Sequence, residues 1–142
     1  MRQWAMREIH VGRLIDHVHL RASDLAAAKR FYRAVLGALG KPIGADDESH
    51  LRCDELWIDA LGEDRRSASH VHLAFQAPDQ ETVRRFHEAG LAAGGRDNGK
   101  PGERKYHPGY FAAFLLDPDG NNVEAVYHGP GQRSADSVVI RA

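Results

Sequence analysis

The sequence predicts an α+β fold in which one strand–helix–strands unit is used twice. Three observations predict it. In each half of the chain an alternating segment is followed by an Asp-capped amphipathic helix. A single offset of 55 aligns residues 17–40 with 72–95 without a gap. The tetrapeptide HVHL occurs at 17–20 and again at 70–73, near the start of each unit.

The elements follow in order. Residues 15–21 alternate and read as a strand. Asp24 is an N-cap candidate, and 25–36 reads as a helix with Ala28, Phe31, Val35 and Leu36 near one face. Gly37 and Gly40 bracket its exit. Short strands are expected between 41 and 59, the clearest at 55–59, and 62–69 reads as a polar linker. The pattern then restarts with a strand at 69–76. Pro78 and Asp79 open a helix over 80–93, with Val83, Phe86 and Leu91 apolar, and Gly94-Gly95 ends it. Residues 96–108, RDNGKPGERKYHP, read as a long polar loop because of their glycines and prolines. A strand at 110–116, a turn at 117–122 and a strand at 123–127 make a hairpin. The tail from 129 to 142 holds a short strand candidate at 138–140.

The register of the repeat matters for chemistry. Matching the two HVHL copies literally needs an offset of 53, which sets Asp24 on Ala77 and Phe31 on Arg84. The offset of 55 instead pairs Asp24 with Asp79, Phe31 with Phe86, Ala34 with Ala89 and Gly40 with Gly95. Caps, helix core and exit glycines agree, so this register is the consistent one. It pairs His17 with His72. Because side chains alternate along a strand, His17 and His19 share a face, as do His70 and His72. Val18, Leu20, Val71 and Leu73 take the opposite face, toward the helices.

Bulk composition excludes several classes. A net charge of −1 gives no basic surface for nucleic acid or acidic membranes. Apolar runs are too short for a membrane span. The start, MRQWAMREIHVGR, lacks the apolar stretch of a signal peptide, and a cytoplasmic location is expected. The lone Cys53 cannot form an internal disulfide and reads as packing rather than a nucleophile. Glu124 is flanked by apolar Val123 and Ala125, and a carboxylate in such a strand needs a reason. Two histidines and one carboxylate would suit Fe, Mn, Zn, Ni or Co without choosing among them.

The segments IDHVHLRASDLAAAKRFYRAVLG and YFAAFLLDPDGNNVEAVYH resemble the signature regions of the vicinal oxygen chelate superfamily. That group includes glyoxalase I, fosfomycin-resistance transferases, methylmalonyl-CoA epimerase, extradiol dioxygenases and bleomycin-resistance proteins. The resemblance spans roughly residues 15–128. It implies a single glyoxalase-like domain of two tandem βαβββ modules, about 13–61 and 69–128, forming a curled mixed sheet around a metal site, with 129–142 as a tail. It implies a divalent metal held by His17, His72 and Glu124. The further carboxylate that glyoxalase I carries on the last strand of its first module falls here at Trp57, which becomes an aromatic wall. A register slip of two would bring Glu55 or Asp59 there instead.

The resemblance further implies lyase, isomerase or transferase chemistry on a small oxygenated metabolite chelated by the metal. His19, His70 and His107 are the candidates for proton transfer or ligand support, against the plainer reading that they line a cavity. Trp57, Tyr106 and Tyr110 are the substrate-contact candidates. Arg96, Lys100, Arg104 and Lys105 either meet an anion or are simply solvated. Asp117-Pro-Asp-Gly is turn chemistry. An extradiol-type Fe(II) dioxygenase and a non-enzymatic ligand-sequestering protein of bleomycin-resistance type are the alternatives. A homodimer is expected, because modules in this family often pair across chains, setting His17 of one subunit beside His72 and Glu124 of the other.

Overall fold

The computed structural model describes residues 8–11, 15–62, 69–130 and 138–141; of 8–11 and 138–141 it describes the backbone. The unit of strand, helix and three strands occurs twice. The first comprises β2 (Val18–Ala22), α1 (Leu25–Ala38), β3 (Ala45–Asp46), β4 (His50–Cys53) and β5 (Leu56–Ala60). The second comprises β6 (His72–Gln76), α2 (Gln80–Ala92), β7 (Arg96–Glu103), β8 (Phe111–Leu116) and β9 (Asn122–Tyr127). An antiparallel ribbon of β1 (Glu8–Val11) and β10 (Val138–Arg141) joins the two ends of the chain. The candidate strand at 138–140 is therefore present, and its partner near the N-terminus is an element the sequence did not announce.

Each unit makes a four-stranded mixed sheet, in the orders β2-β5-β4-β3 and β6-β9-β8-β7. The first strand of each pairs parallel with the last, and the other pairs are antiparallel. As expected, the fold is α+β with two modules; its two mixed sheets are separate and neither closes. β2 and β6, the strands following His17 and containing His72, are both edge strands.

The helices form where the caps and apolar spacing predict. Asp24 and Asp79 both sit in extended backbone and accept from the amide three residues on, Ala27 at 3.0 Å and Thr82 at 2.7 Å. Each such cap contributes about 1 kcal/mol. At the far ends the two helices differ by one residue. Lys41 N–H reaches the Leu36 carbonyl, and Gly95 N–H reaches the Gly90 carbonyl. The left-handed residue that permits this closure is Gly40 (φ 74°) after α1, but Gly94 (φ 96°), not Gly95, after α2. The expected match of Gly40 with Gly95 is thus displaced by one.

One core joins both units. Phe31, Val35, Val83 and Phe86 are fully buried between helices and sheets, with Leu51, Ile58, Leu115 and Val123 from the strands. Each such side chain contributes roughly 1.5–3 kcal/mol by leaving water. The helices pack on each other near equivalent positions of the repeat. A Cβ added to Gly90 would lie 3.0 Å from Val35 Cγ1 and 2.2 Å from Leu115 Cδ1. The α2 helix therefore approaches closely only because residue 90 has no side chain. Its Leu91, the counterpart of buried Leu36, is 42% exposed, so that expected core position is not one.

The second correction concerns 96–108. Residues Arg96–Glu103 are not loop but an edge strand on β8, with register shifts at Asp97/Gly99 and Gly99/Gly102. Its amides are ordered by an apolar neighbour strand, which local composition does not reveal. The glycine at 99 has a packing use: a Cβ there would be 2.9 Å from Phe114 Cδ2. The turn at 117–122 is as expected and does more than turn. The buried Asp117 carboxylate accepts from the Asp119 and Asn121 amides and from the Asn121 side chain. It also accepts from Tyr32 Oη of α1 at 2.6 Å, which fastens one unit to the other.

Candidate functional site

The second unit assembles a polar half-site on the sheet face turned away from the helices. Strand alternation sends Val123 and Ala125 to the core and leaves Glu124 on the opposite face, across from Phe114 on β8. Glu124 is nevertheless only 2% exposed. His72 Nε2 lies 2.9 Å from Glu124 Oε1, and its ring stacks near Phe114 with centroids 6.0 Å apart. His72 Nδ1 faces the Asn122 carbonyl at 3.0 Å. A carbonyl only accepts, so Nδ1 carries the proton and donates. Nε2 then meets the carboxylate either as an imidazolium N–H or as a neutral lone pair whose repulsion a cation would relieve. Tyr110 Oη donates to Glu124 Oε2. Burial, and then this bond to the carboxylate, push the Tyr110 phenol up to about 12, so it stays a donor at neutral pH.

The first unit places a different set on its corresponding face. Register shows the correspondence: Ala74 lies opposite Glu124 across β6 and β9, and its repeat counterpart His19 lies opposite Trp57 across β2 and β5. Trp57 therefore occupies the position of Glu124, as the sequence register predicts, and Glu55 and Asp59 do not. His50 stacks parallel on Trp57 with centroids 4.3 Å apart, and the Arg52 guanidinium carbon is 6.0 Å from the ring centre. His19 Nε2 lies 2.7 Å from Asp59 Oδ1. His17 is one residue outside β2, its side chain 71% exposed, with Nδ1 2.7 Å from Asp16 Oδ1.

The remaining candidates gather around Tyr110. The Tyr106 ring meets that of Tyr110 edge-on at 4.9 Å and is largely exposed. His107 also meets Tyr110 edge-on, at 5.3 Å. Its Nε2 lies 2.9 Å from Nδ1 of His128, a residue the sequence reading passed over. His70 is exposed on the segment entering β6. Arg104 lies over the Phe114 ring at 5.4 Å and donates to the Lys100 carbonyl, so it is committed locally.

The structure thus brings His72, Glu124 and Tyr110 together, with His107 and Tyr106 alongside. It sets His19 and Trp57 on the other sheet, with His17 just before β2. Among the described residues, no group of three or more His, Cys, Asp or Glu side chains in one chain could hold a metal ion. Cys53 is buried and donates to the Pro42 carbonyl; burial, then the nearby Asp54 and Glu55, push its thiol up to about 11, which disfavours the thiolate. Also among the described residues, no helix is long and apolar enough to cross a membrane.

Two mixed four-stranded sheets of βαβββ order, each with its first strand beside its last, define a class that comparison confirms. The family model for the Glyoxalase/Bleomycin resistance protein/Dioxygenase superfamily matches residues 14–125, and the chain belongs to this family. A glyoxalase/bleomycin resistance protein from Albidiferax ferrireducens T118 is 34% identical, covering 80% of this chain and 98% of its own, with a TM-score of 0.69. A glyoxalase-related enzyme from Fulvimarina pelagi is 18% identical over 91% of this chain and 98% of its own, with a TM-score of 0.68. Lactoylglutathione lyase from Agrobacterium tumefaciens is 20% identical over 81% of this chain and 93% of its own, with a TM-score of 0.56. The last two are likenesses of fold. No curated protein sequence matches the chain.

Proposed function

We propose that the protein is a cytoplasmic metal-dependent enzyme with lyase, isomerase or transferase chemistry on a small oxygenated metabolite. The carrying observation is the His72–Glu124 pair. A nearly buried carboxylate sits 2.9 Å from a histidine nitrogen whose other nitrogen is fixed as a donor to a backbone carbonyl. This donor set fits a divalent cation: one imidazole nitrogen, one carboxylate oxygen, and a carbonyl that selects the tautomer. When bound, such a cation would supply Lewis-acid stabilisation of developing negative charge on substrate oxygens.

The chain's own groups have separable tasks in this reading. His72 and Glu124 hold the cation. Tyr110 occupies the second oxygen of Glu124 and turns the first toward His72. Phe114 backs the His72 ring and keeps water from that side. Trp57 forms the opposing aromatic wall. His17 is the third ligand, and it comes from a second copy of the chain. Its place before an edge strand of the other sheet, with an exposed ring, suits a homodimer in which the two half-sites meet.

The test is isothermal metal titration of chelator-stripped protein with Zn, Ni, Mn, Co and Fe(II). Wild type should bind about one ion per chain, and His72→Ala and Glu124→Gln should each lose at least about 100-fold in affinity. Mixing His17→Ala with Glu124→Gln subunits should restore up to about a quarter of the sites, because a mixed two-fold dimer keeps one site with all three ligands. Absence of stoichiometric binding by wild type with every metal would reject the metal-dependent reading. Binding unaffected by His17→Ala would reject the shared site.

A further inference from the structure

The face of the first unit carries a cation that the proposed chemistry does not use. Arg52 and Trp57 are directly opposite each other on β4 and β5, so their side chains share the face that also bears His19. Both are half-buried. The guanidinium carbon lies 6.0 Å from the Trp57 ring centre, and among the described residues this is the only partner of the Arg52 side chain. Two carboxylates of adjoining positions are engaged elsewhere. Asp59 takes His19 at 2.7 Å, and Asp47 takes the Ser49 hydroxyl and amide and the His50 amide. Gly44 borders the guanidinium: a Cβ there would stand 3.8 Å from Nε and 3.9 Å from Nη2, and its absence leaves that edge uncovered.

Among the described residues no carboxylate pairs with this half-buried arginine, whose planar fork matches a carboxylate in two parallel hydrogen bonds. Trp57 limits where the fork can lie. His50 stacks on the same indole 6° from parallel, so the ring is held from both the His50 and the Arg52 strand positions. The repeat adds a contrast. Where the second unit has Phe114 beside Glu124, the first has Arg52 beside Trp57. One half-site is anionic and suits a cation; the other is cationic beside an aromatic surface and suits an organic anion.

We infer that Arg52 and Trp57 form an anion-recognition subsite, and that the substrate is a small planar carboxylate. Arg52 grips its carboxylate, the part of Trp57 that His50 leaves uncovered borders its flat body, and, where the half-sites of two copies meet, its other oxygens reach the His72–Glu124 half-site. The substrate part of this inference rests on the proposed function; the anion subsite stands on the first unit alone.

The experiment separates the two by working without metal. The probe pair is benzoate and its neutral analogue benzamide, read by tryptophan fluorescence in a Trp4→Phe background that leaves Trp57 as the single emitter, in EDTA. Benzoate should quench saturably and bind at least about 10-fold more tightly than benzamide. Arg52→Gln should weaken benzoate about 10-fold and leave benzamide unchanged, while Arg52→Lys should fall between, keeping charge but losing the fork. Thermal melts of Arg52→Gln and Arg52→Lys within a few degrees of the parent would establish that the loss is local. Equal binding of benzoate and benzamide, benzoate affinity unchanged in Arg52→Gln, or no saturable quenching by benzoate would each overturn the subsite. Failure of metal titration with this result intact would overturn the proposed function and leave the subsite standing.

Discussion

The two units share a backbone plan and differ in what they hold out from it. In the second, β9 presents Glu124 to His72, with Tyr110 closing the carboxylate's other oxygen. In the first, the same position is Trp57, flanked by His50 and Arg52. Their inward faces are interchangeable in kind: Leu51, Cys53, Leu56 and Ile58 correspond to Ala113, Leu115, Val123 and Ala125, all buried. Core positions accept any apolar residue of suitable volume, so the repeat persists there in pattern rather than identity. The opposite faces carry polar and aromatic residues, and there the units differ: Glu124 and Phe114 in one, Trp57 and Arg52 in the other. The two units share a frame and differ in the side chains they set on it.

The helix interface is where the comparison breaks most sharply. Val35 is buried in α1, and its counterpart Gly90 leaves no room for even a methyl group beside Leu115. Gly90→Ala should therefore destabilise the protein by about 1–3 kcal/mol, despite alanine's better helix propensity. Denaturant melts would measure it. Combining it with Leu115→Ala should cost less than the sum of the two changes, since the second vacates the space the first needs. An additive result would show that the helices are free to move apart.

A smaller effect tests how firmly the units are fastened. Tyr32→Phe removes the hydroxyl that α1 gives to Asp117 at the β8–β9 turn. Burial first, and then Asp117, hold that phenol well above its usual range, so it donates across all ordinary pH. The substitution should cost about 1–2 kcal/mol, because Asp117 stays buried with one donor fewer. Chemical denaturation at pH 7 reads it, and a loss below about 0.3 kcal/mol would mean that the turn is held by its own amides alone.

Tyr110→Phe sharpens the same contrast at the site. It removes a donor from Glu124 without touching the first unit. Affinity for the added metal should fall about 10-fold, while benzoate binding at Trp57 stays within twofold. The pH dependence also has a sign. Tyr110 and Cys53 have folded-state values raised to about 12 and about 11. Above their ordinary values the unfolded chain loses these protons first, so stability present below pH about 9 declines as pH rises toward 12. A melting temperature flat from pH 8 to 11 would contradict the burial of Cys53 and the Tyr110–Glu124 bond.

Much of this was legible in the sequence, for identifiable reasons. Asp24 and Asp79, the helix spacing and the DPDGNN turn act through neighbours in the chain, and local signals carry them. The offset of 55 fixed which histidines correspond, and strand pairing shows Trp57 at the position of Glu124. What depends on another strand was not legible. Residues Arg96–Glu103 lack the composition of a strand and become one because β8 offers an unpaired edge. The glycines that argued for a loop there include Gly99, which makes room for Phe114. Arg52 was missed although its signal is local: in His50-Leu51-Arg52-Cys53 the two apolar residues alternate with two basic ones, which puts His50 and Arg52 on a common face. His128 gave no signal, since its link to His107 spans 21 residues.

The shared core has a thermodynamic consequence. Phe31 and Val35 of α1 and Phe86 of α2 lie in one apolar cluster with strands of both sheets, so neither half can keep its helix dry alone. Loss of either unit would expose the other's helix face and strand Asp117 without Tyr32. The two halves should therefore melt together, in one calorimetric transition whose van't Hoff and measured enthalpies agree per cooperative unit. A duplicated architecture, in this chain, is a single thermodynamic object.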